Sequence, residues 1–356
     1  MSLVLVWSER FADHAPPAGH PERVERAAVM HTAVGRWRAR GGGVLAPSRA
    51  TPEDLLRIHS AAYLDQLERV AGHAAVLDAD TFMSPASYEA AILAAGAVVT
   101  ATDHVLSVRP LGGSAAAGGE SAFALVRPPG HHALPDGGMG FCLLNNLAVA
   151  AAHALSEGVE RVAIVDYDVH HGNGTQWSFY ANPRVLFISL HQYPHYPGTG
   201  AAGECGVGDG EGFTVNVPLS AGATDGDYEL VFDAIVEPVL DAFAPQLLMV
   251  DVGFDAHERD PLADMRVTAA GFGQLARRVR RAAARCSDGR LVMTIEGGYD
   301  LEALEASLGA TIDALVESEE PSGEPSRADG GHEPTSVGTT AVALARAAQR
   351  RYWPGL

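Results

Sequence analysis

The sequence predicts an α/β fold in which a mostly parallel central β-sheet carries helices on both faces. Short apolar runs rich in β-branched residues alternate with longer Ala-rich stretches of helical spacing, a pattern typical of parallel sheets. Hydrophobic residues make up 47% of the 356 residues, so a large core can form. The length is normal for a single α/β enzyme domain with long loops.

The predicted strands are short and almost wholly apolar, as expected of strands that are buried on both faces. They cover residues 3–7, 122–126, 162–165, 185–190, 247–252 and 291–295. The clearest predicted helices cover residues 87–105, 146–156, 228–243 and 269–286. Polar residues follow most of these strands, so their side chains should meet at the edge of the sheet where parallel strands end.

Three segments are predicted along the chain. Residues 1–316 form the main domain. Residues 317–336 are rich in Glu, Ser, Pro and Gly, which predicts an acidic linker or surface loop. Residues 337–356 predict a last helix that packs on the main domain through Tyr352 and Trp353.

The net charge of −19 argues against nucleic-acid binding, because phosphate contacts need Lys and Arg. An acidic surface attracts cationic ligands, although such charge can also serve solubility alone. All basic residues other than His are Arg. The protein therefore cannot be its own acyl-lysine substrate.

The sequence favours a cytoplasmic setting. We expect no membrane span, because no run of about 18 apolar residues occurs. The N-terminus lacks the basic and long apolar regions of a signal peptide. Cys142, Cys205 and Cys286 are too widely spaced to predict a disulfide framework or a Cys-type zinc site.

The most informative segment is Asp166-Tyr167-Asp168-Val169-His170, directly after a predicted strand. Asp168 and His170 are close enough to bind one cation together, and Asp255 after another strand can supply a third ligand. Oxygen and nitrogen ligands of this kind suit Zn²⁺, with Fe²⁺ or Co²⁺ as alternatives. Three protein ligands leave a coordination position open, as a catalytic metal requires.

Two further motifs predict acid–base chemistry beside such a metal. His131 and His132 follow a Pro-Pro-Gly turn and can serve as general base and general acid. Asp166 and Asn173 are candidate partners for the two rings, and an ionised partner and a neutral one give the rings different proton affinities. Tyr299 follows two glycines and can stabilise an oxyanion with its hydroxyl group.

Five motifs between residues 19 and 299 resemble, in order, those of the zinc-dependent histone deacetylase superfamily, and most closely its class II-like bacterial members. This superfamily includes bacterial deacetylases and acetylpolyamine amidohydrolases. The motifs are Gly19-His20-Pro21-Glu22-Arg23, Arg127-Pro128-Pro129-Gly130-His131-His132, Asp166-Tyr167-Asp168-Val169-His170, Gly253-Phe254-Asp255-Ala256-His257 and Glu296-Gly297-Gly298-Tyr299.

The resemblance implies an arginase-like α/β fold, one catalytic metal and a role for each matching residue. Asp168, His170 and Asp255 match the zinc ligands, His131, His132 and Tyr299 the catalytic residues, and Asp166 and Asn173 their partners. The residues that match the substrate site are Asp80, Gly140, Phe141, Tyr196, Leu262 and Gly298, with Arg26 in an internal channel. Structural K⁺ is implied at Asp166, Asp168, His170, Ser189 and Leu190, and at a second site at Phe179, Asn182 and Val185.

The function that the resemblance implies is hydrolysis of an acetyl or short acyl group from the ε-amine of acyl-lysine. Leu262 stands where polyamine-selective relatives place Glu, which favours acyl-lysine over acetylpolyamines. Deacetylation of acetylpolyamines or other small cationic amides stays the alternative, as does a non-catalytic acyl-lysine binder. The sequence leaves open which tandem histidine is the base, and whether the protein is a homo-oligomer.

Overall fold

The computed structural model describes residues 2–108, 120–317 and 333–356. Its strands are β1 Ser2–Val6, β2 Gly43–Leu45, β3 Ala75–Val76, β4 Phe82–Met83, β5 Glu120–Ala124, β6 Val162–Asp166, β7 Val185–Gln192, β8 Thr214–Leu219, β9 Leu247–Val252 and β10 Arg290–Ile295. Its α-helices are α1 Glu25–Ala39, α2 Pro52–Leu56, α3 Ala61–Val70, α4 Ser87–Val108, α5 Asn146–Ser156, α6 Asn173–Phe179, α7 Asp225–Val231, α8 Glu237–Phe243, α9 Ala269–Cys286, α10 Leu301–Val316 and α11 Ser336–Gln349.

The predicted α/β fold is confirmed, and the main sheet is parallel throughout the described chain. Eight strands form it in the order β2-β1-β5-β10-β9-β6-β7-β8, and every neighbouring pair is parallel. Strands β5, β10, β9, β6 and β7 lie next to one another. Their carboxyl ends carry most of the motifs that the sequence singled out, so these motifs share one edge of the sheet.

Two predictions about individual elements need correction. Strand β5 starts and ends two residues before the predicted 122–126 segment, because it pairs with β1 in a register that runs from Ser2↔Glu120 to Val6↔Ala124. The predicted helix at 228–243 is longer, and a π-helical turn at Phe232–Val236 joins α7 to α8. The unpredicted elements are strands β2, β3, β4 and β8 and helices α1, α2, α3, α6 and α10.

Helices cover the sheet in two groups. Helices α4 and α5 pack against each other, with α4 over β1, β5 and β10 and α5 over β9 and β6. Helices α1, α9 and α10 form a second group, in which α1 contacts β2, α10 contacts β1 and α9 contacts β10. Helix α4 is long and apolar enough to cross a membrane, but 67% of its most apolar window is buried inside the protein. That burial is typical of a core helix, because its apolar surface already packs on the sheet.

The last helix, α11, lies against the edge strand β8 and helix α7. The Asp227 carboxylate accepts the backbone N–H groups of Thr335 and Gly338 at the start of this helix. At its other end, Gln349 Nε2 donates to the Thr214 carbonyl of β8 at 2.7 Å. Most of the predicted 317–336 linker lies outside the described residues.

Candidate active site

Two strand ends bring together one group of potential metal ligands. Asp168 and His170 follow β6, and Asp255 follows the neighbouring β9. Their ligand atoms lie within 4.8 Å of one another, and among the described residues this is the single group of three or more His, Cys, Asp or Glu side chains with that property. His170 Nδ1 lies 3.1 Å from Asp168 Oδ1 and 3.1 Å from Asp255 Oδ2.

The surrounding backbone fixes both carboxylates. Asp168 Oδ2 accepts the Gly297 N–H at 2.8 Å, and Asp255 Oδ1 accepts the Val169 N–H at 3.0 Å. Glycine is required at position 297, because a Cβ there would lie 1.9 Å from Asp255 Oδ2. The donor set and its buried, pre-formed arrangement fit a divalent cation such as Zn²⁺.

The tandem histidines lie beside this metal-ligand group, on the segment that follows β5. Glu296 Oε2 accepts the backbone N–H groups of Gly130 at 2.6 Å and His131 at 3.1 Å, which fixes the turn. The two imidazole rings are 4.1 Å apart between centroids. His131 Nδ1 pairs with Asp166 Oδ2 at 3.0 Å, and its Nε2 lies 3.8 Å from Asp168 Oδ1.

The two histidines differ in their electrostatic surroundings. Burial alone lowers the pKa of His131, but the carboxylates of Asp168 and Asp166 outweigh burial and raise that pKa well above its ordinary value. His132 Nδ1 pairs instead with the neutral Asn173 Oδ1 at 2.7 Å. Burial and the charge on His131 lower the pKa of His132 well below its ordinary value. His132 is therefore the ring that is neutral, and able to accept a proton, near pH 7.

Tyr299 faces the histidines from the segment between β10 and α10. Its ring lies 5.1 Å below the Arg26 guanidinium and meets the Phe141 ring edge-on at 5.7 Å. Burial, followed by the charge of Asp255, raises the pKa of Tyr299 well above its ordinary value. The phenol thus keeps its proton and can act as a hydrogen-bond donor.

A pocket of about 200 Å³ opens onto these residues. It is lined by Asp80, His132, Gly140, Phe141, His170, His195, Tyr196, Leu262 and Tyr299. Gly140 has a φ of +56°, and a Cβ at this position would lie 2.4 Å from the His132 ring. Gly298 does not line the pocket; its carbonyl accepts Arg26 Nε at 2.8 Å.

The sequence did not identify His195 as a site residue. Its ring stacks on the His170 ring, with centroids 5.2 Å apart and planes 19° apart. Its Nε2 pairs with the Leu262 carbonyl at 3.0 Å, which ties the two loops of the pocket wall together. A histidine in the segment Tyr193-Pro194-His195-Tyr196 carries no periodic signal, so only its position beside Tyr196 could have indicated it.

The residues that match the potassium sites fall into two clusters. Asp166 and Ser189 are direct neighbours in the β6–β7 pairing, and Leu190 follows in β7. Phe179 and Asn182 belong to the turn before β7, where the Asn182 N–H donates to the Phe179 carbonyl at 2.9 Å. The structure brings each set together, but the cation itself stays a prediction.

Comparison with known proteins connects this geometry to a family. Residues 20–315 match the family model described as the histone deacetylase domain. The chain is 42% identical over 301 residues to a probable deacetylase of Archaeoglobus fulgidus, spanning 84% of this chain and 81% of that relative. It is 46% identical over 253 residues to the histone deacetylase-like amidohydrolase of Pseudomonas aeruginosa, spanning 70% of this chain and 64% of that relative.

The fold comparison extends over nearly the whole chain. The crystal structure of the HDA15 HD domain superposes with a TM-score of 0.87 at 35% identity, covering 99% of this chain and 96% of that one. The matched residues 20–315 include the metal-ligand group, the tandem histidines and Tyr299. The chain therefore belongs to the histone deacetylase domain family and is a hydrolase of that family.

Proposed function

We propose that this protein is a zinc-dependent amidohydrolase that removes acetyl or other short acyl groups from the ε-amine of acyl-lysine in proteins or peptides. The observation that carries the proposal is the convergence of the Asp168–His170–Asp255 group, the tandem histidines and Tyr299 on one pocket. These are the groups that hydrolysis of an amide needs: a Lewis acid, a base, an acid and an oxyanion donor.

Asp168, His170 and Asp255 would hold the metal ion. A bound Zn²⁺ polarises a carbonyl oxygen and lowers the pKa of a bound water toward about 7. His132, kept neutral by burial beside Asn173, takes the proton of the attacking water. His131 carries the positive charge that Asp166 favours, and this charge stabilises the anion that forms.

The other wall of the pocket completes the reaction. Tyr299 donates its phenolic hydrogen to the carbonyl oxygen as negative charge develops on that oxygen. His132 then returns its proton to the departing amine, so that acid and base are the same ring. Phe141 and Tyr196 provide aromatic walls for the alkyl stem of the substrate, and the Asp80 carboxylate lies on the lining of the same pocket.

Leu262 supports acyl-lysine rather than an acetylpolyamine as substrate. It lines the pocket with an apolar side chain, and no carboxylate at this position would bind a second ammonium group. The net charge of −19 suits a cationic substrate of either class. Structural K⁺ at the two clusters near β7 and a cytoplasmic location belong to the same proposal.

One experiment tests the proposal. Acyl-lysine peptides of increasing chain length and acetylated polyamines are assayed with the purified protein, before and after chelation, and after adding back Zn²⁺ or Fe²⁺. We expect turnover of acetyl-lysine peptides that is lost on chelation and restored by metal. Faster turnover of acetylpolyamines would make the alternative substrate class the correct one. Turnover that survives complete metal removal would contradict the mechanism.

A further inference from the structure

A buried carboxylate that the mechanism does not use, Asp260, lies next to Tyr299. Asp260 follows the metal-ligand residue Asp255 by five positions and is only 6% exposed. Its Oδ2 accepts the backbone N–H of Tyr299 at 2.7 Å and, at 3.4 Å, that of Asp300. Its Oδ1 accepts the N–H of Leu262 at 3.0 Å, which closes the loop on itself.

The three hydrogen bonds to the Asp260 carboxylate all come from backbone N–H groups. No ion pair to Asp260 occurs among the described side chains. The N–H groups of Tyr299 and Asp300 lie where the chain enters α10, whose N-cap is Asp300. A carboxylate near a helix N-terminus is favoured by the helix dipole. Asp260 does not line the pocket, so any effect on catalysis has to pass through the residues that it holds.

The peptide unit between Gly298 and Tyr299 is hydrogen-bonded on both sides. Its carbonyl oxygen accepts Arg26 Nε at 2.8 Å, and its N–H donates to Asp260 at 2.7 Å. Two hydrogen bonds to opposite ends of one planar peptide fix the orientation of that plane. The orientation in turn sets the direction in which the Tyr299 side chain leaves the backbone.

We propose that Asp260 is a positioning residue that aims the Tyr299 phenol at the metal-ligand group. The inference rests on the proposed role of Tyr299 in the reaction. Because Asp255 and Asp260 belong to one short loop, the loop that supplies a metal ligand also fixes the phenol on the opposite wall. A single segment of chain thus sets the distance between the metal-ligand group and the Tyr299 phenol, the two groups that face the carbonyl oxygen of the substrate.

The test is a double-mutant cycle between Asp260→Asn and Tyr299→Phe. The Asn side chain has nearly the same shape but only one acceptor oxygen, so Asp260→Asn removes one acceptor. We expect kcat on an acetyl-lysine peptide to fall about 10- to 100-fold, the range for a misplaced catalytic group, with KM changed less than about threefold. In the Tyr299→Phe background the same change should cost less than about twofold, because no phenol remains to be aimed.

Asp264→Asn is the matched control. It makes the same chemical change in the same loop, on an exposed side chain, and should leave kcat within about twofold of the wild type. Metal content and melting temperature are measured for every variant. Should Asp260→Asn fail to fold, Asp260→Glu keeps the charge, displaces it by one methylene, and should show the same dependence on Tyr299.

The outcomes separate this inference from the proposed function. Equal losses from the Asp260 change in the wild-type and Tyr299→Phe backgrounds would overturn the positioning role, as would a loss explained by reduced metal content. A Tyr299→Phe variant with unchanged kcat would instead overturn the proposed role of the phenol, and this inference with it.

Discussion

The two walls of the pocket are held in different ways. On the histidine wall, reactive rings are fixed by side-chain hydrogen bonds: His131 to Asp166 and His132 to Asn173. On the phenol wall, Tyr299 makes no side-chain hydrogen bond to another described residue. It is held instead by ring contacts and by its own backbone N–H, which Asp260 accepts.

The difference follows from what each wall has to do. A histidine has two ring nitrogens, so one can be bonded to a partner that sets the proton affinity of the other. A phenol has one hydroxyl group, and a partner bonded to it would compete with the substrate. The hydroxyl group of Tyr299 is therefore left free, and its position is controlled through the peptide that precedes it.

The largest expected effect on activity comes from removing the hydroxyl group of Tyr299. Tyr299→Phe should lower kcat by about 10²–10³-fold, the usual loss of one oxyanion donor, while the Kd of a substrate peptide stays nearly the same. Single-turnover kinetics and binding titration check the two quantities. A variant that binds weakly but turns over normally would show that the phenol binds the ground state rather than the transition state.

Giving His132 a charged partner tests the histidine wall. Asn173→Asp places a carboxylate on Nδ1, and an ionised neighbour raises the pKa of a histidine by about one to three units. The wild-type pKa of His132 is lowered well below its ordinary value. In the wild type, His132 is therefore protonated, and unable to act as a base, only at acidic pH.

In the Asn173→Asp variant, His132 should be protonated at higher pH, so the acidic limb of kcat/KM should move toward neutrality. The measurement is a pH profile of kcat/KM for both proteins, with melting temperatures across the same pH range as the control for folding. A limb that does not move would exclude His132 as the base, and the tandem partner His131 would have to be reconsidered.

Substrate choice should respond to Leu262 with a smaller change. Leu262→Glu adds a carboxylate to the pocket lining beside His195 and should raise the ratio of kcat/KM for acetylspermidine over acetyl-lysine peptide by about tenfold, or about 1.4 kcal/mol. Leu262→Gln is the uncharged control of the same length. An equal change in both variants would mean that shape rather than charge selects the substrate.

The smallest expected effect concerns His195, which is part of the pocket lining. His195→Ala removes the stacking on His170 and the bond to the Leu262 carbonyl, interactions worth about 0.5–1.5 kcal/mol each. These energies stabilise the folded pocket wall and only part of them acts on catalysis, so we expect a two- to tenfold loss of kcat/KM. His195→Phe keeps the ring and should recover the part of the loss that stacking supplies. If His195→Phe recovers nothing, the hydrogen bond to the Leu262 carbonyl alone accounts for the loss.

How far the sequence predicts the molecule depends on how local each signal is. The parallel sheet was predictable because strands such as Val162–Asp166 are apolar throughout and are followed at once by polar residues. The metal-ligand group was predictable because two of its members, Asp168 and His170, lie two residues apart. Strand β8 was missed because its segment, Thr214–Leu219, mixes Asn and Pro with its apolar residues.

The parts of the site that escaped prediction depend on contacts between distant segments. Asp260 and Tyr299 are 39 residues apart, and their bond involves a backbone N–H that leaves no mark on the sequence. His195 acquires its place by stacking on a ring from another loop. Side-chain identity predicts chemistry, whereas backbone-mediated placement requires the fold.

The last helix, α11, protects the β8 edge of the sheet. Strand β8 is the last strand in the order, so one side of it has no neighbouring strand. Gln349 and Trp353 donate to the carbonyls of Thr214 and Gly212 there, in place of a further strand. An uncovered margin of this kind can recruit a second chain and seed aggregates. Variants that lack residues 337–356 should therefore self-associate.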